Sequence, residues 1–519
     1  MAKQKITQAV HFKAILGYVG ILIHVPGAMA LASIVIALVF EEFFAIIPFL
    51  CCAFFSFSLG QILYRIFFEP RACHLWDAMI IAALAWIVIP FMGALPYYWI
   101  AERAVLLGDF ATSVSEMATF PNTMFESFSA FTSTGLSVVD QPEVFPKSFQ
   151  WWRSFSCWIG GTGLIVFVLS ITQPGRGEYR LYYSEARNET VGEDVGATTR
   201  IIAILYAIYT ILGIFAYYIA GMPLWEAINH SMTSLSTGGF TIISSSFSTY
   251  NDGIKLIGII LMLIGATSFA LHYRIIKERR ISLLFTNLQQ AVYLIILVVG
   301  GGVSYLLMHY SEQSIGGLNV LFNFVSASST CGFSASTVAL YLPNLKLMLI
   351  LAMLLGGCAG STAGGIKVQR FHDLLEGVYV RMQSMTEERE RYIKAVNSKR
   401  PTKAERFGLP MGPAAEKLYA AGILLTMWMV GLFLGWFLML FAVPPSQALD
   451  VFFEVFSATS NAGLGTGIMG SQFSDTGKFV YIVLMWIGRL EILPALILIW
   501  SILFPFGRKR ERRKNAAAR

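Results

Sequence analysis

Charged side chains are scarce in this sequence. Asp, Glu, Lys and Arg make up 13% of the 519 residues, whereas an average soluble protein carries about 25%. Apolar residue types reach 56%, and the 40 Phe, 21 Tyr and 11 Trp exclude an intrinsically disordered chain. We therefore expect a polytopic membrane protein. Its formal net charge of +7 is expected to lie in loops, not on a folded nucleic-acid-binding face.

Cysteine is equally scarce, and catalytic motifs are missing. The six cysteines show no CxxC spacing, so we expect neither a disulfide framework nor a cysteine-ligated metal site. No HExxH motif and no paired intramembrane aspartates occur, so the sequence offers no catalytic motif that would indicate a membrane enzyme. The scattered histidines are predicted to be structural; they include His24, His230, His272 and His309.

Long uncharged stretches are abundant. A hydrocarbon core about 30 Å thick requires about 20 apolar helical residues, and ten stretches meet or approach this length. The first is too long for a signal-peptide core and is expected to be retained. The ten stretches are 14–40, 43–64, 78–101, 154–175, 201–225, 256–273, 281–311, 347–366, 418–449 and an interrupted one at 478–505.

Lys and Arg are concentrated in every second connection between these stretches. Because basic loops remain on the cytoplasmic side, this alternation predicts that both termini are cytoplasmic. The 367–417 connection, with EERERYIK at 387–394, is either a solvated connector or a docking surface. The basic segments are the N-terminus, Arg65 to Arg71, 174–200, Arg274 to Arg280, 367–417 and Arg508 to Lys514.

Four of the base-poor connections carry a common motif. Aligned without gaps, they read FESFSAFTSTG ending at Gly135, INHSMTSLSTG at Gly238, FNFVSASSTCG at Gly332 and FEVFSATSNAG at Gly463. Six residues before each glycine stand Ser129, Met232, Ser326 and Ser457, and nine before it stand Glu126, Asn229, Asn323 and Glu454. Self-similarity at four places indicates a repeated structural unit.

A span, a short helix, an extended glycine segment and a second span, repeated four times, would form a pore. Backbone carbonyls in such segments can replace the hydration shell of a cation, and glycine tolerates φ above zero. Glu126 and Glu454 either attract cations at the mouth or anchor the short helices. The predicted cation filter comprises Ser133, Thr134, Gly135, Ser236, Thr237, Gly238, Thr330, Cys331, Gly332, Asn461, Ala462 and Gly463.

A glycine-rich stretch, GGCAGSTAGG at 356–365, interrupts the eighth apolar stretch. Each glycine disfavours a helix by about 1 kcal/mol relative to Ala. Three of the glycines have the GxxxG spacing of closely packed helices, whereas the other two and the hydroxyl pair favour an unwound loop beside the pore. The predicted gate comprises Gly356, Gly357, Gly360, Ser361, Thr362, Gly364 and Gly365, together with Arg489.

Arg489 lies roughly 16 Å into the last stretch at 1.5 Å per helical residue. An arginine near the bilayer centre costs about 2.5–3.5 kcal/mol, and Glu491 points to a different face of the helix. Arg489 therefore either pairs with another helix or faces the cavity below the filter, where its charge would raise the barrier for cations.

The four glycine loops, with WRSFSCWIGGTGLIVF at 152–167, GATSFALHY at 265–273, GGCAGSTAGGIKVQR at 356–370 and WIGRLEILPALIL at 486–498, resemble the Trk/Ktr/HKT potassium transporters, most closely the TrkH/TrkG type. The resemblance covers nearly the whole chain. It implies an all-α fold of about ten transmembrane helices, with four span–pore-helix–span repeats around one pseudo-fourfold pore. Gly135 favours K⁺, because a subdivision that tends toward Na⁺ has serine there.

The same resemblance implies function and partners. It points to K⁺ uptake across the bacterial inner membrane by a homodimer, without an organic cofactor, under the control of a cytosolic nucleotide-binding subunit of the TrkA (RCK) type. An H⁺- or Na⁺-coupled symporter or a Na⁺-permeable relative is the alternative; coupling would need a titratable relay, for which only Glu126, Glu454 and Glu491 are available. The expected units are leading helices at 1–72, repeats at 73–195, 196–280, 281–375 and 416–507, a connector at 376–415 and a tail at 508–519.

Overall fold

The computed structural model describes residues 11–68, 74–108, 112–163, 195–310, 315–379, 382 and 413–504. These residues are mainly helical, which confirms the predicted all-α class. A helix satisfies its backbone polar groups within its own segment, as an apolar medium requires. Two short strands, β1 (Leu355–Gly356) and β2 (Ile366–Lys367), pair in parallel.

The described helices comprise the leading helices and four further groups, each around one glycine segment of the sequence, which we call the first to fourth repeats. Short helices of 12 residues recur at α5, α8, α13 and α16. The helices are α1 (Phe12–Val39), α2 (Ile46–Phe67), α3 (Leu75–Leu107), α4 (Thr112–Met117), α5 (Phe120–Phe131), α6 (Lys147–Thr162), α7 (Val195–Ile219), α8 (Leu224–Leu235), α9 (Asp252–Ala266), α10 (Phe269–Glu278), α11 (Leu283–Thr286), α12 (Leu288–Tyr310), α13 (Gly317–Ser328), α14 (Pro343–Leu354), α15 (Pro413–Met439), α16 (Ala448–Thr459), α17 (Asp475–Arg489) and α18 (Leu493–Leu503).

Within the described part of the chain, six helical segments are long and apolar enough to cross a membrane alone: α1, Phe43–Phe67, α3, α7, α12 and the Leu418–Met439 part of α15. The pairs α9–α10 and α17–α18 are bent by 97° and 112°, and counting each pair as one span gives eight. Large apolar side chains stay exposed on these helices, among them Ile219, Val298 and Phe437. Such exposed faces are expected where a protein contacts lipid.

Three of the ten predicted spans are broken near their middle within the described residues. The 256–273 stretch breaks at Thr267 and Ser268, between α9 and α10. The 347–366 stretch contains only the end of α14, and the helical GxxxG interpretation is wrong because residues 357–365 are not helical. The 478–505 stretch, expected to be one span, is also broken, since α17 ends at Arg489, α18 begins at Leu493, and Glu491 and Ile492 have φ of +48° and +64°.

Several predicted features lie outside the described residues. They are the end of the fourth stretch beyond Gly163, the loop at 174–194, the connector at 383–412 and the basic tail at 508–519.

The four repeats interlock through the second helix of each one. The fourth residue of that helix reaches the start of the short helix in the next repeat. Lys255 Nζ donates to Asn319 Oδ1 at 3.0 Å, Lys346 Nζ to Asp450 Oδ1 at 2.5 Å, and Trp225 Nε1 donates to Gln150 Oε1 at 2.8 Å. The fourth contact returns to the first repeat, since Lys478 Nζ and Asn122 Nδ2 share the carbonyl of Ser471. The repeats are thus joined in a closed order.

Close backbone packing between α5 and α6 generates the first prediction. A Cβ at Gly160 would overlap with the carbonyl oxygen of Phe131, whereas one at Gly302 in α12 would meet nothing within 4 Å. We expect Gly160→Ala to destabilise the purified protein by about 1–3 kcal/mol, as overpacking does. The matched Gly302→Ala should be neutral or stabilising. Thermal unfolding in detergent measures both; equal melting temperatures would contradict the packing.

Candidate functional site

The four glycine segments leave their short helices in the same conformation. The second residue after each helix has a left-handed φ of +49° to +53°, and the fourth is a glycine with φ of +61° to +97°. The left-handed residues are Ser133, Thr237, Thr330 and Asn461, and the glycines are Gly135, Gly239, Gly332 and Gly463. The second repeat therefore aligns on Gly239, and the predicted alignment on Gly238 is wrong by one residue.

This register places different side chains in the second repeat. Gly238 donates its N–H to the carbonyl of Thr233 at 3.0 Å, as Thr134 does to Ser129 at 2.9 Å and Cys331 to Ser326 at 2.8 Å. Thr233, not Met232, thus completes the series of hydroxyl residues, and His230, not Asn229, occupies the position of Glu126. Ser236 lies one residue before the segment proper. The adjacent Gly238 and Gly239 made both registers compatible with the sequence.

Backbone crowding explains why the fourth position is glycine. A Cβ at Gly135 would meet the carbonyl oxygen of Gly238, and one at Gly239 would meet that of Cys331. A Cβ at Gly332 would meet the carbonyl oxygen of Ala462, and one at Gly463 that of Thr134. Each contact leads to the next repeat and the fourth returns to the first. The segments form a closed ring of backbone in which no larger residue fits.

Side chains from the short helices hold the backbone that follows the ring. Glu126 Oε2 accepts from Val138 N at 3.1 Å, Asn323 Oδ1 from Ala335 N at 2.8 Å, and Glu454 Oε1 from Thr466 N at 2.8 Å. In each case the donor lies 12 residues after the acceptor, and all three acceptor residues are fully buried. These contacts favour the anchoring interpretation of Glu126 and Glu454 over that of external cation attractors.

The glycine-rich 356–365 loop lies against three of the four segments. Gly364 N donates to Thr330 Oγ1 at 2.6 Å, and Gly365 N donates to the carbonyl of Ser460 at 2.8 Å. Thr362 Oγ1 lies 3.1 Å from Thr237 Oγ1. Gly360 and Gly365 have φ of +78° and +64°, conformations that disfavour other residues. The structure thus brings the predicted loop and the predicted filter residues together.

Arg489, the last residue of α17, joins this loop to α6. Its Nη1 donates to the carbonyl of Thr362 at 3.2 Å and its Nη2 to that of Gly160 at 2.5 Å. The guanidinium also lies 5.1 Å from the ring centre of Trp86. These partners are backbone carbonyls and an aromatic face, for which the sequence carries no signal. Glu491, in contrast, forms an ion pair with Arg370 at 3.5 Å.

Carboxylates also cluster beside the connection that follows the first glycine segment. Burial, and secondarily the nearby Glu116 carboxylate, raise the pKa of Asp140 above its ordinary value, while a hydrogen bond with Ser471 opposes this shift. Glu116 in turn accepts from Ser471 Oγ at 2.6 Å. Acidic groups of this kind raise the local concentration of cations.

The corrected register generates a rescue prediction. A Cβ at Gly238 would collide with Cys157 Sγ, a side-chain atom, whereas one at Gly239 would collide with the backbone of Cys331. Gly238→Ala should therefore lower thermal stability, and Cys157→Ala should restore it. Gly239→Ala, strained at φ +61°, should stay destabilised in the Cys157→Ala background, by about 1–3 kcal/mol. Equal rescue of both variants would contradict the register.

Comparison with known proteins places this geometry in context. Residues 94–299 and 304–510 match the model of the family described as TrkH: Cation transport protein. The chain is 31% identical over 495 residues to the uncharacterized cation transporter MJ1485 of Methanocaldococcus jannaschii, covering 95% of this chain and 96% of the relative. It is 27% identical to the Trk system potassium uptake protein TrkG of Escherichia coli K12, covering 94% and 98%.

A solved structure is similar over the same range. The crystal structure of the potassium transporter TrkH from Vibrio parahaemolyticus superposes with a TM-score of 0.74 at 25% sequence identity, covering 95% of this chain and 99% of that one.

Proposed function

Because the chain belongs to the TrkH family of cation transport proteins, we propose that it is the pore-forming subunit of a potassium-uptake system and passes K⁺ through the ring of glycine segments. The observation that carries this proposal is the closed backbone ring, in which each glycine abuts the next repeat. Relatives named as Trk system potassium uptake proteins support K⁺ as the ion.

The chemistry of the ring suits a dehydrated cation. Carbonyl and hydroxyl oxygens are the ligands that replace water around K⁺, and the four segments supply both types. In the corrected register the proposed filter residues are Ser133–Gly135, Thr237–Gly239, Thr330–Gly332 and Asn461–Gly463. Ser236 supports the filter from one position earlier.

The proposal includes a barrier beneath the filter, formed by the 356–365 loop and Arg489. A guanidinium beside the ion path would oppose cations electrostatically until the loop moves. With both termini in the cytoplasm of a bacterium, as the basic loops favour, this barrier lies on the cytoplasmic side of the inner membrane. A homodimer controlled by a cytosolic nucleotide-binding subunit of the TrkA type is part of the same proposal and rests on the family.

The contacts of the buried carboxylates favour a channel mechanism over ion-coupled symport. Glu126 pairs with Arg153 at 2.7 Å, Glu454 accepts backbone N–H groups, and Glu491 pairs with Arg370. Because each of these carboxylates already has a fixed partner, the proposal assigns none of them to a proton relay.

Flux measurements test the proposed function. Proteoliposomes containing the purified protein should take up ⁸⁶Rb⁺ faster than ²²Na⁺, and an imposed pH gradient at clamped membrane potential should leave the rate unchanged. Gly135→Ser should lower the Rb⁺/Na⁺ ratio by about tenfold, equivalent to about 1.4 kcal/mol of discrimination, while Gly302→Ala serves as the control. Absence of Rb⁺ preference in the wild type would refute the proposal, and a rate driven by the pH gradient would establish symport.

The barrier generates a separate prediction. Arg489→Ala should raise basal Rb⁺ flux per folded molecule by about tenfold, as removing 1.4 kcal/mol from a barrier does. Shortening 356–365 by two residues should act likewise. The flux of the double variant should rise by less than the product of the two single fold-changes, because both changes act on one barrier. Arg489→Gln keeps donors for the carbonyls without the charge. Raised flux in Arg489→Ala but not in Arg489→Gln would contradict an electrostatic role.

A further inference from the structure

The second repeat lacks the side-chain anchor that the other three repeats possess. At the position of Glu126, Asn323 and Glu454 it has His230, whose Nδ1 donates to the carbonyl of Glu226 at 2.8 Å within its own helix. The opposite ring nitrogen, Nε2, has no hydrogen-bond partner among the described residues although His230 is fully buried. Its neighbours are the rings of Phe247, Tyr250 and Phe333. The backbone after Gly239 must therefore be held in another way.

Arg153 reaches that backbone from the first repeat. This residue of α6 is 2% exposed, and its Nε donates to Glu126 Oε1 at 2.7 Å. Its Nη2 donates to Ser137 Oγ at 3.1 Å and its Nη1 to the carbonyl of Thr241 at 2.8 Å. Ser137 and Thr241 both lie two residues after their ring glycines. One guanidinium thus binds equivalent points of two adjacent segments.

The chemistry of arginine suits this position. Its planar guanidinium carries five donors in a fixed geometry, so it can serve a carboxylate, a hydroxyl and a carbonyl at once. The group also lies 4.3 Å from the ring centre of Phe240, the residue that follows Gly239. The pairing with Glu126 supplies the countercharge without which a buried arginine would be strongly destabilising.

We propose that Arg153, oriented by Glu126, is a positioning residue that holds the second filter segment across the repeat boundary and thereby sets K⁺/Na⁺ discrimination, in place of the anchor that His230 does not provide. This inference rests on the proposed function for its selectivity readout. Without the contact to Thr241, the second glycine segment could change its conformation. The oxygen ligands that it contributes would then no longer be held in a fixed geometry around the cation.

The test removes both charges together, because a single substitution would leave an unpaired buried charge. In Glu126→Gln/Arg153→Met the glutamine keeps an acceptor for Val138 N, as the amide of Asn323 does for Ala335 N. Methionine fills the space without donors. We expect the Rb⁺/Na⁺ flux ratio to fall about tenfold, the effect of losing a hydrogen bond to a charged group.

Rescue identifies the mechanism. Adding His230→Asn to this variant should restore most of the ratio, because an amide at 230 can hold its own segment as Asn323 does. The matched control is Lys346→Met/Asp450→Asn, which neutralises a half-buried ion pair between the third and fourth repeats. Neither of these side chains contacts a glycine segment, so the ratio should be that of the wild type.

A folded Glu126→Gln/Arg153→Met variant with an unchanged ratio would overturn the inference, and so would a loss that His230→Asn fails to correct. If that variant does not fold, the same measurements are made on Arg153→Lys, and the same outcomes apply. Lysine keeps the ion pair with Glu126 but lacks the planar guanidinium that reaches Ser137 and Thr241. Hydrogen exchange of the 240–243 amides gives a readout independent of transport. If the wild type lacks Rb⁺ preference, the proposed function fails; hydrogen exchange then tests the positioning role of Arg153 by itself, and equal protection of those amides in the variant would overturn it.

Discussion

Irregular backbone is tolerated at membrane depth only where protein surrounds it and satisfies its polar groups, and the four glycine segments impose this constraint on the whole structure. In each segment, backbone N–H groups donate to carbonyls of the preceding short helix, as Cys331 N–H does to the carbonyl of Ser326. Buried side chains such as Asn323 hold the backbone that follows. The neighbouring repeats then approach so closely that glycine alone fits at the contacts.

The four repeats belong to one chain, so each has its own sequence and their side chains can differ. The ring requires a common backbone conformation, but the residue type at the left-handed position varies, for example from Ser133 to Asn461. The supports differ too, since Glu126, His230 and Asn323 occupy the same place in three repeats. The 356–365 loop contacts the second, third and fourth segments, and Arg489 ties it to α6 of the first. A single loop is therefore connected to all four repeats.

Apolar stretches were sufficient to predict the helical class, and the resemblance to potassium transporters predicted that the 356–365 loop lies close to the filter segments. The register of the second repeat could not be predicted, because Gly238 and Gly239 are adjacent and Asn229 resembles Asn323. The break at Thr267 and Ser268 was missed because apolar residues continue across it. The partners of Arg489 and Arg153 include backbone carbonyls, which leave no trace in a sequence; only folding brings them within reach.

Ion binding in the ring is the central claim, and anomalous diffraction from crystals grown with Tl⁺ in place of K⁺ tests it most directly. Thallium is a close mimic of K⁺ and scatters anomalously. The account predicts peaks on the axis of the ring, coordinated by the backbone of the segments that contain Gly135, Gly239, Gly332 and Gly463, and predicts that excess Na⁺ does not displace them. A Tl⁺ site elsewhere in the protein with an empty ring would contradict it.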